Sequence, residues 1–187
     1  MFISRAVGTD ANRYRSGPPN LGSVVRLFMT RPGFRASCLY RLAHSAKGRG
    51  ARLLPKLLER LILYTCLCSI SSDATLGEGL LFPHPIGIVI GGGTVAGRGC
   101  TIQQSVSIGG NYFRLKNERD MPTLGDDVAI SAGAVVAGPV HIGDRTIVGA
   151  NVVVTSDVGP DVVLKSAPAV EIQKPQWQGR RGTPAEG

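Results

Sequence analysis

Cysteine is scarce in this chain, and its positions do not indicate a metal site or a disulfide framework. Cys38, Cys66, Cys68 and Cys100 lack the spacing of zinc ligands and the pattern of a small secreted domain. No other cluster of metal-ligating residues stands out in the sequence. We therefore expect reduced thiols, a cytoplasmic protein and no bound metal.

Long apolar runs are missing as well. The most apolar segment, residues 61–70, is much shorter than the roughly 20 residues that a bilayer-spanning helix needs. The stretch around Arg5, Arg13 and Arg15 has no apolar core of the signal-peptide kind. These absences predict a soluble protein, and they leave peripheral contact with a membrane surface open.

Acidic residues are outnumbered, 13 against 21 Lys and Arg, which gives a formal net charge of +8. A basic balance suits nucleic acid, an anionic membrane or a phosphorylated ligand. No RNA-binding or helix-turn-helix motif accompanies the charge, so we expect no nucleic-acid partner. Most of the excess lies outside the central part of the chain, where solvated helix faces account for it.

Aromatic residues make up only 5% of the chain, whereas glycine occurs 25 times, and the glycine-rich part repeats with a period of six. An apolar anchor is often followed by Gly, and a small or apolar residue stands four positions later. Six residues form a short strand and a turn, and three such units close one triangular coil. Stacked coils bury one continuous core, so the pattern predicts a mainly β fold, a parallel β-helix. The anchors are Ile70, Leu76, Phe82, Ile90, Ala96, Ile102, Ile108, Leu124, Ile130, Val136, Ile142, Val148 and Val154.

The chain divides into four zones. Residues 1–20 are expected to be disordered, and residues 21–68 carry apolar stripes at helical spacing that predict two or three amphipathic helices. The β-helix domain is expected over residues 69–172, with a polar loop at 110–123 where no anchor occurs. Residues 173–187 form a C-terminal tail.

Two motifs in the repeat resemble a known enzyme family. Residues 83–91 read Pro-His-Pro-Ile-Gly-Ile-Val-Ile-Gly, and residues 102–110 read Ile-Gln-Gln-Ser-Val-Ser-Ile-Gly-Gly. With the helical stretches 31–35 and 40–44, they resemble the serine acetyltransferase branch of hexapeptide-repeat acyltransferases over about residues 23–172. The resemblance implies a left-handed β-helix and acetyl transfer from acetyl-CoA to a hydroxyl. It also implies a homotrimer whose sites are shared between neighbours, and it leaves a hexamer of two trimers open.

The resemblance implies that His84 is the catalytic base. Histidine suits proton removal from a hydroxyl because its ordinary pKa is about 6.5, and such help is worth roughly 10²–10⁴-fold in rate. A backbone carbonyl, Asp73 or a residue of a neighbouring chain are the candidates for orienting it. His44 and His141 are expected to be structural or solvated, and Cys100 is expected to pack in the core.

The resemblance also implies that coenzyme A lies in a groove between two chains, contacted largely by backbone. Small residues there let the pantetheine arm approach the main chain, although turn formation explains the same residues equally well. Arg145 and Lys165 are candidates for contacting its phosphates. The matching positions are Gly109, Gly110, Ala132, Gly133 and Ala150.

The chain departs from the family pattern around the acceptor. Family members place an Asp before the catalytic His and another Asp that orients it, where this chain has Pro83 and Ser69. They also carry an Arg-His-Pro motif, where this chain has Asp120 and Met121 before the proline. Our first hypothesis is therefore acetylation of a sugar or polysaccharide-precursor hydroxyl. Serine O-acetylation is the alternative, and a non-catalytic β-helix scaffold is the third hypothesis.

Overall fold

The computed structural model describes residues 2–15, 17–110 and 120–168 of the chain. Its first part is helical, with α1 over Phe2–Asn12, α2 over Leu21–Thr30, α3 over Pro32–Gly48 and α4 over Leu53–Cys66. None of the helices in these ranges has the length and apolar character that a bilayer crossing requires.

Local sequence explains several of the boundaries of α2, α3 and α4. Asn20 caps α2 through a reciprocal pair of hydrogen bonds with Ser23. Pro32 stands in the first turn of α3, where a missing N–H costs no hydrogen bond. Helix α4 ends at Cys66, and its C-cap Leu67 adopts the left-handed conformation with φ 56°. The predicted helical region is thereby present as α2, α3 and α4.

Helix α1 corrects the expectation that residues 1–20 are disordered. It is held by contacts with distant parts of the chain rather than by its own composition. The Asp10 side chain is fully buried and accepts hydrogen bonds from the N–H groups of Gly79 and Leu80 at 2.8 and 2.9 Å. It also pairs with Arg41 of α3 at 2.8 Å. The N-terminal helix is therefore fastened to both the helical region and the β-helix.

The remaining elements are short strands in three parallel sheets. The first sheet has the order β1-β3-β6-β9-β12, the second β10-β7-β4-β2 and the third β13-β11-β8-β5. Successive strands go to different sheets, so each sheet is one face of a triangular prism. This confirms the predicted left-handed β-helix with N-terminal helices. The strands are β1 Ser69–Ile70, β2 Thr75–Leu76, β3 Val89–Ile90, β4 Val95–Ala96, β5 Thr101–Ile102, β6 Ser107–Gly109, β7 Thr123–Leu124, β8 Ala129–Ile130, β9 Val135–Ala137, β10 His141–Ile142, β11 Ile147–Val148, β12 Val153–Val154 and β13 Val163–Leu164.

The hexapeptide anchors form the core of the prism. All thirteen are buried, and they lie in one continuous cluster that extends into α3 and α4. The rule that a small or apolar partner stands four positions after each anchor is wrong for Phe82: it selects Ile86, which is exposed, whereas Ile88 is buried in its place. The cause is an eight-residue spacing between the anchors Phe82 and Ile90, which adds two residues to this corner of the coil.

Candidate active site

The two added residues push His84 outward at a prism edge that we call the proline corner. This edge consists of residues 83–88 and of the turns 103–106, 131–134 and 149–152 stacked beyond them, each leading into the first sheet. The side chain of His84 is exposed. Its imidazole is therefore presented to solvent by a corner rather than buried in a face.

Backbone hydrogen bonds fix the turn that carries His84. The N–H of Ile88 donates to the carbonyl of Pro85 at 3.1 Å, and the N–H of Gly87 donates to Leu67 at 2.8 Å. The carbonyl of Ile86 accepts from Ser105 in the next coil at 2.9 Å. Gly87 has φ 75°, which favours glycine at this position. The turn is thus tied to both neighbouring rungs.

Tyr14 fixes the backbone of Phe82, just before the turn that carries His84. Its hydroxyl accepts from the N–H of Phe82 at 2.9 Å and lies 3.3 Å from the Phe82 carbonyl, to which it donates. Burial raises the pKa of the Tyr14 phenol well above its usual value, while the hydrogen bond to Phe82 acts in the opposite direction. The start of α3 also packs against Phe82, since a Cβ added at Gly33 would lie 1.9 Å from the Phe82 carbonyl oxygen. Sequence periodicity gave no signal for either contact.

We expect Tyr14→Phe to lower the free energy of unfolding by about 1–3 kcal/mol, because both backbone groups of Phe82 lose their partner in a buried place. Urea denaturation measures this difference. Tyr64→Phe is the matched control, since the Tyr64 side chain is exposed and its hydroxyl bonds no described residue. Equal destabilisation of the two variants would contradict a stabilising role for the hydrogen bonds between Tyr14 and Phe82.

Within the described ranges, neither a backbone carbonyl nor a side chain hydrogen-bonds to the imidazole of His84. Asp73 was one candidate for orienting it, and the structure contradicts that assignment. Asp73 lies in the turn between β1 and β2, at a different prism edge, and forms an ion pair with Lys47. Ser69 is closer to the turn, because its N–H donates to Ile88 at 2.8 Å, but its hydroxyl makes no bond to His84. An orienting group from a neighbouring chain stays a prediction.

Three of the five proposed coenzyme A positions share an edge with His84. Ala132 and Gly133 lie in the turn between β8 and β9, and Ala150 lies in the turn between β11 and β12, all on the proline corner. At about 4.8 Å per rung, these turns stand roughly 10 and 14 Å along the edge from the His84 turn. Gly109 and Gly110 lie at the opposite edge of the first sheet, where β6 ends. A single chain therefore does not bring all five together.

Local contacts show which of the small residues proposed to contact coenzyme A are required by the turn itself. A Cβ at Gly133 would lie 2.3 Å from the Asn151 side-chain oxygen, and Gly133 has φ 70°, so the turn itself requires glycine. At Gly109 nothing lies within 4 Å of the same position. The N–H of Ala132 donates to the side chain of Gln103 at 3.0 Å. Turn formation thus accounts for Gly133 but not for Gly109.

Of the two cations considered for phosphate contacts, only Lys165 has a suitable place. It follows β13 at the edge that continues the proline corner, and its side chain is exposed. Arg145 lies in the turn between β10 and β11, at another edge. It is bound to Asp161 through two hydrogen bonds of 2.7 Å. Within one chain Arg145 therefore lies away from the proline corner, and its contact with the coenzyme A phosphates stays a prediction.

Met121 covers part of the glycine run 91–93, at the prism edge from which the loop 110–123 extends. A Cβ at Gly91 would meet its methyl group at 2.5 Å, and a Cβ at Gly93 would meet its Cγ at 3.1 Å. Its sulfur lies 3.0 Å from the Cβ position of Gly110. The glycines therefore make room for a thioether, which cannot act as a base. Most of the predicted loop 110–123 and the tail 173–187 lie outside the described residues.

His44, His141 and Cys100 lie away from the proline corner. His44 lies 3.0 Å through its Nδ1 from the Ser72 carbonyl, and His141 is an exposed residue of β10. Cys100 is fully buried, and this burial raises the pKa of its thiol to about 11, so it is protonated at neutral pH. No group of three or more metal-ligating side chains occurs in the described part of the chain.

Comparison with known proteins identifies relatives along nearly the whole chain. Residues 121–156 match the family described as bacterial transferase hexapeptide (six repeats). The serine acetyltransferase of Mycobacterium tuberculosis is 33% identical over 171 residues, which is 91% of this chain and 74% of that protein. The serine acetyltransferase of Helicobacter pylori strain J99 is 37% identical over 143 residues, 76% of this chain and 82% of that protein.

A solved structure agrees with these sequence relatives. The fold superposes on serine acetyltransferase isoform 3 of Entamoeba histolytica, solved in complex with cysteine, with a TM-score of 0.80 and 30% identity. The match covers 93% of this chain but 62% of the Entamoeba chain, so this chain spans less than two thirds of that structure.

Proposed function

Because the chain belongs to the serine acetyltransferase family, we propose that it transfers the acetyl group of acetyl-CoA to the hydroxyl of serine, with His84 as general base. Family membership makes the chain an acyltransferase with acetyl-CoA as its donor. The observation that carries the proposed site is the exposed imidazole at the proline corner, held between two prolines on a turn tied to both neighbouring rungs. The serine acceptor rests on the relatives, whose activity their names state.

The chemistry follows from the neutral imidazole. It removes the proton of the acceptor hydroxyl as the oxygen attacks the thioester carbonyl, and a tetrahedral intermediate forms. Collapse of that intermediate breaks the carbon–sulfur bond, and the imidazolium returns the proton to the departing thiolate. A backbone N–H directed at the carbonyl oxygen would stabilise the developing charge. Direct transfer in a ternary complex is what the family resemblance implies. The Cys100 thiol is buried and protonated, which argues against it as a carrier of the acetyl group.

We place the donor along the proline corner, past Ala132, Gly133 and Ala150, with Lys165 facing its phosphates. Gly109 and Gly110 belong to the opposite edge of the same sheet. In a homotrimer this edge of one chain meets the proline corner of its neighbour, so that two chains complete each site. The four free cysteines are consistent with a reducing, cytoplasmic setting.

A sugar hydroxyl is the second candidate acceptor, and our sequence-based first choice. The surroundings of Met121 favour it, since this thioether offers no charge to an amino acid. Neighbouring Asp120 would repel a carboxylate. The named relatives favour serine instead, and we rank serine first on that basis. The third hypothesis, a scaffold without activity, rests on the departures from the family pattern, since Ser69 stands in place of the orienting Asp and Met121 in place of the second His.

Thiol release from acetyl-CoA tests the proposal when it is measured with serine, with nucleotide-linked and lipid-linked sugars, and without acceptor. We expect release that depends on serine. Turnover with a sugar that equals or exceeds turnover with serine would contradict serine as the acceptor and would favour a sugar hydroxyl. If no acceptor gives turnover and calorimetry detects no CoA binding, the hypothesis of a non-catalytic scaffold would be favoured.

A further inference from the structure

Helix α4 has a second apolar face that the fold does not use. One face packs into the core through Pro55, Leu58, Ile62 and Cys66. The residues on the other face are large, apolar and between 44% and 73% exposed. At about 100° per residue, they lie within an arc of about 100°. Scattered exposed apolar residues are ordinary, but a contiguous patch marks an interaction surface. These residues, which we call the α4 face, are Leu53, Leu54, Leu57, Leu61 and Tyr64.

The charges beside the α4 face have one sign. Arg52, Lys56 and Arg60 are exposed and make no ion pair within the described part of the chain. The one acidic residue of α4, Glu59, is engaged, because its carboxylate accepts the N–H of Ser72 at 2.6 Å. Across residues 21–68 the charged side chains are nine Lys or Arg and this one Glu. Two of these nine cations are paired with carboxylates elsewhere in the chain, Arg41 with Asp10 and Lys47 with Asp73. The cations that remain give the helical region a positive potential around its exposed apolar stripe.

This combination decides between two kinds of occupant. A second copy of the chain, docked helix to helix, would bring one cationic surface against another, which costs free energy. An anionic surface is complementary to the same charges. A helix with an apolar stripe beside Lys and Arg is typical of helices that lie in the plane of a membrane interface. Helix α4 has 14 residues, so it suits lying on a bilayer rather than crossing it.

We propose that the α4 face binds the surface of an anionic lipid bilayer. The leucines and Tyr64 enter the boundary between headgroups and acyl chains, and the three flanking cations contact lipid phosphates. Because the opposite side of α4 is packed in the core, the contact attaches the whole protein to the membrane without unfolding the helix. The proposal does not depend on the acetyl transfer reaction.

Sedimentation of the full chain with vesicles tests this interface. We expect binding to vesicles of phosphatidylcholine with 30% phosphatidylglycerol, little binding to pure phosphatidylcholine, and loss of binding in high salt. Lys56→Glu with Arg60→Glu should weaken binding at least about thirtyfold, since each cation contributes about a factor of five to ten. Leu57→Gln with Leu61→Gln should weaken it at least about tenfold.

Arg26→Glu with Arg31→Glu is the matched control, because it changes the net charge equally on α2 and at its C-cap and leaves α4 intact. Circular dichroism and thermal unfolding verify that each variant is folded. Binding by the α4 charge variant that equals binding by the control variant would overturn the proposal. Failure of the wild type to bind anionic vesicles would also overturn the proposal. If the Leu57→Gln, Leu61→Gln variant then has a lower mass in solution than the wild type, a second copy of the chain occupies the α4 face instead.

Discussion

Replacing His84 with alanine is expected to lower the rate of acetyl transfer by about 10²–10⁴-fold, which is the usual contribution of a general base. The free energy of unfolding should stay within about 0.5 kcal/mol of the wild type, because an exposed side chain without hydrogen bonds to described residues contributes little to the fold. Thiol release under saturating acetyl-CoA and acceptor measures the first quantity, and urea denaturation measures the second.

His141→Ala is the matched control for this variant. His141 is also exposed on the β-helix, but it lies on β10 in the second sheet, away from the proline corner. It should retain the wild-type rate. Binding of CoA by His84→Ala should also stay unchanged, since the base acts on the acceptor rather than on the donor. A His84→Ala rate within twofold of the wild type would exclude His84 as the base.

Replacing Asp10 with alanine should produce the largest loss of stability, about 3–5 kcal/mol in the free energy of unfolding. The change leaves the buried Arg41 guanidinium without its counter-charge, and an uncompensated buried charge is strongly destabilising. The Arg41 side chain is 9% exposed and that of Asp10 is fully buried. Two N–H groups, of Gly79 and Leu80, also lose their acceptor. Urea denaturation measures the loss.

Asp161→Asn is the comparison for an ion pair in water. Asp161 binds Arg145 at 2.7 Å, but both side chains are more than half exposed, so water screens the pair and its loss should change the free energy of unfolding far less than the loss of Asp10 does. Asparagine tolerates the left-handed backbone of this position, where φ is 60°. Similar losses for the Asp10 and Asp161 variants would show that α1 is not fastened through a buried pair.

The sequence predicted most of the β-helix because its information is periodic. An anchor every six residues specifies which side chain enters the prism, and the break in phase after Phe82 already marks the corner that carries His84. The partner Ile86 was misplaced because a fixed offset of four cannot follow a corner with two added residues. The helices were predicted for the same reason as the strands, from apolar spacing within a short window.

The residues around the candidate site were predicted unevenly. The motif resemblance selected His84, Ala132, Gly133 and Ala150, which the structure places on one edge of the prism. The resemblance could not exclude Asp73 as the residue that orients His84, because Asp73 and His84 are close in sequence but lie on different edges of the prism. Positions three hexapeptides apart share an edge, whereas positions one hexapeptide apart do not. Only the strand pairing reveals which edge a given turn occupies.

The sequence alone determined the repeat, the helical preface and the histidine at the corner, because each depends on patterns within a few residues. Only the tertiary structure decided that α1 exists, that Asp10 and Tyr14 hold it against the first coils, and that Met121 fills the space above the glycines. These contacts join residues far apart in the chain and depend on shape and burial. Local periodicity carries no information about such pairs.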